Sequence, residues 1–224
     1  MYITSREHNP FFDKPLDFSQ NTLEDFEKQE FVDILVSKME EAMSLFQAIL
    51  DLGIQGFESF YEDTKNETGV EMKIFGHTVS TSKNNKIHAT KQFFKLKCTP
   101  EEFIYISNDQ EVQNRINTNL MLYRNLFQRK TADYVLELFH SKSKKIMMID
   151  SRESIFLKYC KRLPNGKVAS IGKSILLSGL STESPDLTTN IQLTGFQYTL
   201  HSDEVGSLYT AFRCLLRGAS VQFN

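Results

Sequence analysis

Tryptophan is absent from the 224 residues, cysteine occurs three times, and the apolar runs are only a few residues long. The short runs exclude a membrane-spanning helix, which needs about 20 consecutive, mostly apolar residues. Cys98, Cys160 and Cys214 are odd in number and widely spaced. They do not suit a disulfide framework and read as reduced, partly buried thiols of an intracellular protein. Neither sign of charge dominates: the net charge is −2. No global field favours nucleic acid, and no nucleic-acid partner is expected. Residues 1–20 lack the apolar centre of a signal peptide, and Glu7, Asp13 and Asp17 argue against a mitochondrial presequence. The expected compartment is the cytoplasm, with mitochondria as the alternative through some other signal. No internal repeat or low-complexity segment is visible.

What is there suits one globular domain. The chain is 40% apolar and 24% charged, with 18 phenylalanines, and at this length it can bury about 70% of its unfolded surface. Residues 1–21 read as an extended arm carrying Phe11, Phe12 and Phe18, and residues 22–224 as the domain. An arm of this kind lies on its own domain or on a partner. Thr22 and Asp25 resemble a capping box, and Val32, Leu35, Met39, Ala42, Phe46 and Ile49 form one apolar stripe, so a helix is expected over about 23–52. Strands follow at about 57–61, 70–80 and 87–97, with polar turns between them. Thr99-Pro100-Glu101-Glu102 starts a short helix through Phe103. Residues 107–119 read as a loop or a broken helix. Six strands complete the chain: 121–129, 132–140, 153–163, 167–178, 190–200 and 206–217. Pro164-Asn165-Gly166 turns one hairpin and His201-Ser202-Asp203 another. Helix, three strands, short helix and six strands make an α+β domain built on an antiparallel meander.

Catalytic motifs are missing. Gly172-Lys173-Ser174 resembles the end of a phosphate-binding loop, but Lys167 stands where the first glycine belongs, and the segment reads as a strand whose amides serve the sheet. His8, His77, His88, His140 and His201 are scattered without ligand spacing, so no metal or cofactor is expected. No nucleophile elbow occurs, and the acid pairs Glu40-Glu41 and Glu101-Glu102 suit solvated helix faces. The chain does not read as an enzyme. Lys142-Ser143-Lys144-Lys145 is either a solvated loop or a contact for acidic lipid head groups.

Four segments resemble the START (steroidogenic-acute-regulatory-related lipid-transfer) domain family over about residues 30–218. In Ser151-Arg152-Glu153-Ser154-Ile155, Arg152 and Glu153 match the Arg-Asp of the family's Pro-Arg-Asp-Phe-Val signature, and Lys158 falls on its second basic position. Ser151 and Ser154 depart from it. Cys98-Thr99-Pro100-Glu101-Glu102-Phe103, Ile191-Gln192-Leu193-Thr194-Gly195-Phe196 and Leu215-Leu216-Arg217-Gly218 are similar to the family's short-helix start, its Leu-Ser-Gly strand and its final Leu-Lys-Gly. The resemblance implies a helix-grip α+β fold, in which a curved antiparallel sheet grips a long helix around a tunnel for one lipid or sterol.

That implication selects site residues. Large residues at alternating strand positions (Phe93, Leu120, Tyr123, Phe127, Tyr134, Phe156 and Tyr198) either wall such a tunnel or fill a dry core. Ser154, Phe156, Lys158 and Cys160 share one strand face. If that face lines the tunnel, Lys158 is a buried cation that needs an acid or a ligand oxygen. Glu137 stands where family members often place such a partner. Otherwise Lys158 is a surface lysine. The lipid-binding set is then Lys158, Glu137, Phe156, Tyr123, Tyr134 and Tyr198, with Arg152 and Glu153 structural. Two departures weigh against transfer: only Ala219 to Asn224 follow Gly218, too few for the family's C-terminal lid helix, and the family's aromatic–acid pair is missing. They support a second expectation, an accessory subunit of a larger assembly that binds partners through residues 1–21 and the open C-terminal side. The expected partners are a lipid or sterol, a transient membrane contact, and assembly proteins.

Overall fold

The structure is a computed structural model that describes residues 15–51, 58–63, 72–80, 86–96, 99–145, 151–163, 167–180, 189–200 and 206–216. The turns expected at 64–69, 83–86, 164–166 and 201–203, most of the arm, Cys98 and the residues after Leu216 lie wholly or in part outside them.

The chain opens with β1 (Leu16–Phe18), a 3-10 turn (Leu23–Glu27) and the long helix α1 (Gln29–Asp51). Three strands follow, β2 (Glu58–Asp63), β3 (Met72–Ser80) and β4 (Lys86–Leu96), then two short helices, α2 (Pro100–Asn108) and α3 (Gln110–Ile116). Six strands finish it: β5 (Leu120–Lys130), β6 (Tyr134–Ser143), β7 (Glu153–Arg162), β8 (Val168–Leu177), β9 (Thr189–Leu200) and β10 (Gly206–Leu216). They form one sheet in the order β2-β3-β4-β10-β9-β8-β7-β6-β5, antiparallel throughout. β1 is an added parallel strand on β8. The end of the expected arm thus lies on its own sheet, with Leu16 buried and Phe18 edge-on to Phe31 at 5.4 Å.

The expected helix over 23–52 is divided. Asp25 accepts from Thr22 N–H at 2.8 Å and from Lys28 Nζ at 2.7 Å, and Lys28 N–H closes back on Asp25 O. The capping box therefore caps a single tight turn. Lys28 is extended, and α1 starts one residue later.

Period-two alternation gives β6, β7 and β8 two unlike faces. On one lie Leu136, Leu138, Ile155, Leu157, Tyr159, Ala169 and Ile171, packed against Phe26, Val32, Leu35, Met39, Ala42, Met43 and Phe46 of the N-terminal segment. Tyr159 Oη donates to Glu40 of α1, and Lys161 Nζ reaches the same carboxylate at 2.5 Å. Along this seam the side chains of the α1 stripe and of the described strands facing it are in direct contact. Charged groups lie on both faces: Lys173, cross-strand from Leu157, is buried on the α1 side, and the Glu137–Lys158 pair is on the opposite one.

Candidate functional site

The opposite face carries Glu137, Phe139 and Ser141 on β6, Ser154, Phe156, Lys158 and Cys160 on β7, and Ser170, Gly172 and Ser174 on β8. Glu137 and Lys158 are direct cross-strand partners. Phe139 stacks on Tyr123 of β5 at 4.9 Å and on Phe156 at 5.7 Å, which makes a ladder of three rings across three strands. Lys158 Nζ stands 6.0 Å from the centre of the Phe139 ring, within the range of a cation–π attraction. Ser141 and Ser154 share a 2.8 Å hydrogen bond on the same face.

The third member of the polar cluster comes from outside the sheet. Thr99 Oγ1 accepts from Glu102 N–H at 3.1 Å, and the Glu102 carboxylate accepts from Thr99 N–H at 2.7 Å, a full capping box with Pro100 in the first turn. Asp109 ends α2 and begins α3: its N–H bonds Tyr105 O, and its side chain accepts from Val112 N–H at 2.7 Å. This stop leaves Asn108 at the last position of α2. Its amide spans the pair, since Nδ2 donates to Glu137 at 2.7 Å and Oδ1 accepts from Lys158 Nζ. Glu137 also accepts from Asn125 Nδ2 at 3.0 Å and Gln128 Nε2 at 2.8 Å.

Asn125 and Gln128 stand an odd number of steps apart, so simple alternation puts them on opposite faces. A β-bulge at Leu126 cancels one step, because Asn125 pairs with Phe139 while Phe127 pairs with Leu138. Asn125 Oδ1 accepts from Phe127 N–H at 3.0 Å, across the bulge. Phe127 is thereby sent to the α1 side, where its ring meets Phe26 at 4.8 Å.

Burial sets the electrostatics. Glu137 is only 2% exposed. Desolvation raises its carboxyl above the usual range, against the lowering effect of Gln128, Lys158 and Asn125. Desolvation pulls the Lys158 amine down to about 8, opposed by the Glu137 charge. The Tyr123 phenol is raised by burial and by Glu137. Between about pH 8 and the ordinary 10.5, the folded chain binds fewer protons at Lys158 than the unfolded chain does. Stability from this group therefore rises with pH across that window. Glu137 acts oppositely at lower pH: its favourable contribution fades as pH climbs from the ordinary 4.5 through its raised folded value. Urea midpoints of the wild type and Lys158→Met, compared between about pH 8 and 10.5, should show a gain with pH present only in the wild type. A constant difference across the window would contradict a desolvated lysine.

Of the six residues expected to bind lipid, four meet on this face: Lys158, Glu137, Phe156 and Tyr123. Tyr134 does not. It lies three residues from Glu137, on the other side of the pleat, opposite Lys161 and 5.5 Å from the Tyr159 ring. For Tyr198 the structure describes the backbone, paired with Val168 and Leu208. Arg152 and Glu153 join the ends of β6 and β7: Arg152 N–H bonds Ser143 Oγ at 2.8 Å, and Glu153 meets His140 Nε2 at 2.5 Å. Sequence reasoning missed Asn108, Asn125, Gln128 and Phe139. The Thr99 capping box was the one signal that could have measured the helix out to Asn108. Gly172-Lys173-Ser174 is strand, paired with β7, and Lys173 is buried. Among the described residues, no group of His, Cys, Asp and Glu is arranged to hold a metal, and no helix is long and apolar enough to cross a membrane.

No protein-family model and no curated protein matches the sequence. Solved structures do. Human StAR-related lipid transfer protein 5 superposes with a TM-score of 0.62 at 16% identity, over 84% of this chain and 86% of that one. The lipid transfer and protein localization domain of human StarD13 gives 0.53 at 14%, over 79% and 84%. A STAR-related lipid transfer protein from Xanthomonas axonopodis gives 0.52 at 9%, over 72% and 82%. At these identities the likeness is one of architecture, and the chain has the helix-grip α+β fold of the StAR-related lipid transfer domains.

Proposed function

We propose that the protein binds one lipid or sterol, without catalysis, against the sheet face that carries Glu137 and Lys158. One observation carries this reading: a carboxylate and an ammonium, joined through Asn108, adjoin a ladder of three aromatic rings on the face that α1 leaves uncovered. Binding sites for apolar ligands are mostly apolar with a few fixed polar groups. Lys158 meets the polar end of the ligand, and Tyr123, Phe139 and Phe156 meet its body. Glu137 already accepts three amide N–H groups, so its work is to hold the lysine. The names of the superposed structures, which describe lipid transfer, support the same class of ligand.

Native mass spectrometry of the protein purified from its own cells, followed by organic extraction, tests the reading. A one-to-one lipid adduct is expected. It should be lost in Lys158→Met and kept in Tyr134→Phe, whose ring is on the other face. Recovery only within a large complex, with no stoichiometric lipid, would overturn binding in favour of an accessory subunit.

A further inference from the structure

The corner where α3 passes into β5 has a chemistry of its own. Ile116, the last residue of α3, is 63% exposed, and Met121 is 65% exposed. Large apolar side chains in the open are common singly, but neighbouring ones mark contact surfaces. These two are held together by construction. Leu120 N–H closes on Asn117 O at 3.0 Å, a tight turn that carries the chain from one to the other. Met121 is the extra residue of a β-bulge, since Leu120 pairs with Ser143 and Leu122 with Lys142. Ile106, also exposed, is tied to α3 through Gln113 Nε2, which donates to its carbonyl at 3.0 Å.

Bases lie close to the turn or close by in sequence. Lys144 is fastened to the turn itself, its N–H to Asn119 O at 2.7 Å and its Nζ to Thr118 O at 2.8 Å. Lys142 and Lys145 flank it in sequence, Arg115 precedes Ile116, and Arg152 N–H is bonded to Ser143. The acids close by in sequence are Asp109, which caps α3, Glu111, one turn back on it, Asp150, and Glu153, engaged with His140, against the five bases Arg115, Lys142, Lys144, Lys145 and Arg152. The corner is therefore basic on balance and apolar at its tip.

We propose that this corner docks on a bilayer surface that carries anionic lipids. Lysine is depleted from the cores of protein–protein interfaces, whereas basic side chains beside an acidic leaflet gain from its potential. Ile116 and Met121 enter the boundary between head groups and acyl chains, and the bases meet the head-group phosphates and carboxylates. The surface uses none of the residues proposed to bind the internal ligand.

Sedimentation with vesicles of phosphatidylcholine, with and without phosphatidylserine, is the test. The wild type should sediment with the phosphatidylserine vesicles, less so as salt rises, and weakly with phosphatidylcholine alone. Each base near a leaflet is worth roughly a factor of five in partitioning. Lys144→Glu with Lys145→Glu should therefore lower binding about 25-fold or more. Ile116→Ser with Met121→Ser should lower it by about tenfold with the salt dependence kept, because apolar area is lost and charge is not. Ile34→Ser, at an exposed apolar site on α1, should bind as the wild type. Circular dichroism must show all variants folded. Failure of the wild type to sediment would overturn the proposal, as would equal binding by the variants. Dependence of a protein complex on these residues without vesicle binding would also overturn it, in favour of a protein interface. A lipid adduct that survives such a failure leaves the internal site standing.

Discussion

Glu137→Ala is expected to lower the unfolding free energy by about 3–5 kcal/mol, the usual cost of breaking a buried charge pair from one side. The substitution leaves the Lys158 ammonium without the charge that holds its protonated form, and takes the acceptor from Asn108, Asn125 and Gln128 together. Domains of this kind are stable by only about 5–15 kcal/mol, so the variant should sit near the edge of folding at room temperature. Lys158→Met should cost much less, about 1–2 kcal/mol, because Glu137 keeps its three amide donors and the methionine still covers the Phe139 ring. Urea denaturation of both variants measures the asymmetry. Equal costs would mean that the carboxylate is held mainly by the lysine and not by the amides. The contrast also makes Lys158→Met the cleaner variant for ligand work, since it removes the proposed anchor and spares the fold.

Phe46→Ala should cost about 3–5 kcal/mol, by loss of transfer energy and by the cavity left behind. Phe46 is fully buried in the seam between α1 and the sheet, with Leu35, Met39, Leu136, Leu138 and Leu157. The expected readout is a lower thermal midpoint that added lipid does not restore to the wild-type value, since the seam lies on the face opposite the proposed site. A cost under about 1.5 kcal/mol would mean that the seam closes over the gap or that α1 is loosely held. The same helix offers a contrast: Ile34 is half exposed, and Ile34→Ala should stay within about 0.5 kcal/mol of the wild type.

Local chemistry made α1, the start of α2 and the strands legible in the sequence, while the Asp109 cap of α3 and the 3-10 turn before α1 were local too and went unread. The α1 stripe follows from apolar residues at steps of three and four, and the strands from alternation bounded by turn residues. The start of α2 follows from Thr99, Pro100 and Glu102, whose capping box needs nothing from the rest of the chain. The facing of Ser154, Phe156, Lys158 and Cys160 follows from the strand period, and the resemblance to START domains supplied Glu137 as partner. Tertiary structure alone decided three things. It decided which sheet face α1 covers: periodicity separates two faces and does not say which one meets a given helix. It decided that Asn125 and Gln128 share a face, because the bulge at Leu126 breaks the alternation by one step. It decided that Asn108 joins Glu137 to Lys158, a bridge between residues 29 and 50 positions apart in the chain. Local preference sets the form of each element; the long-range register that brings the elements together depends on how their faces pack, and no segment carries that alone.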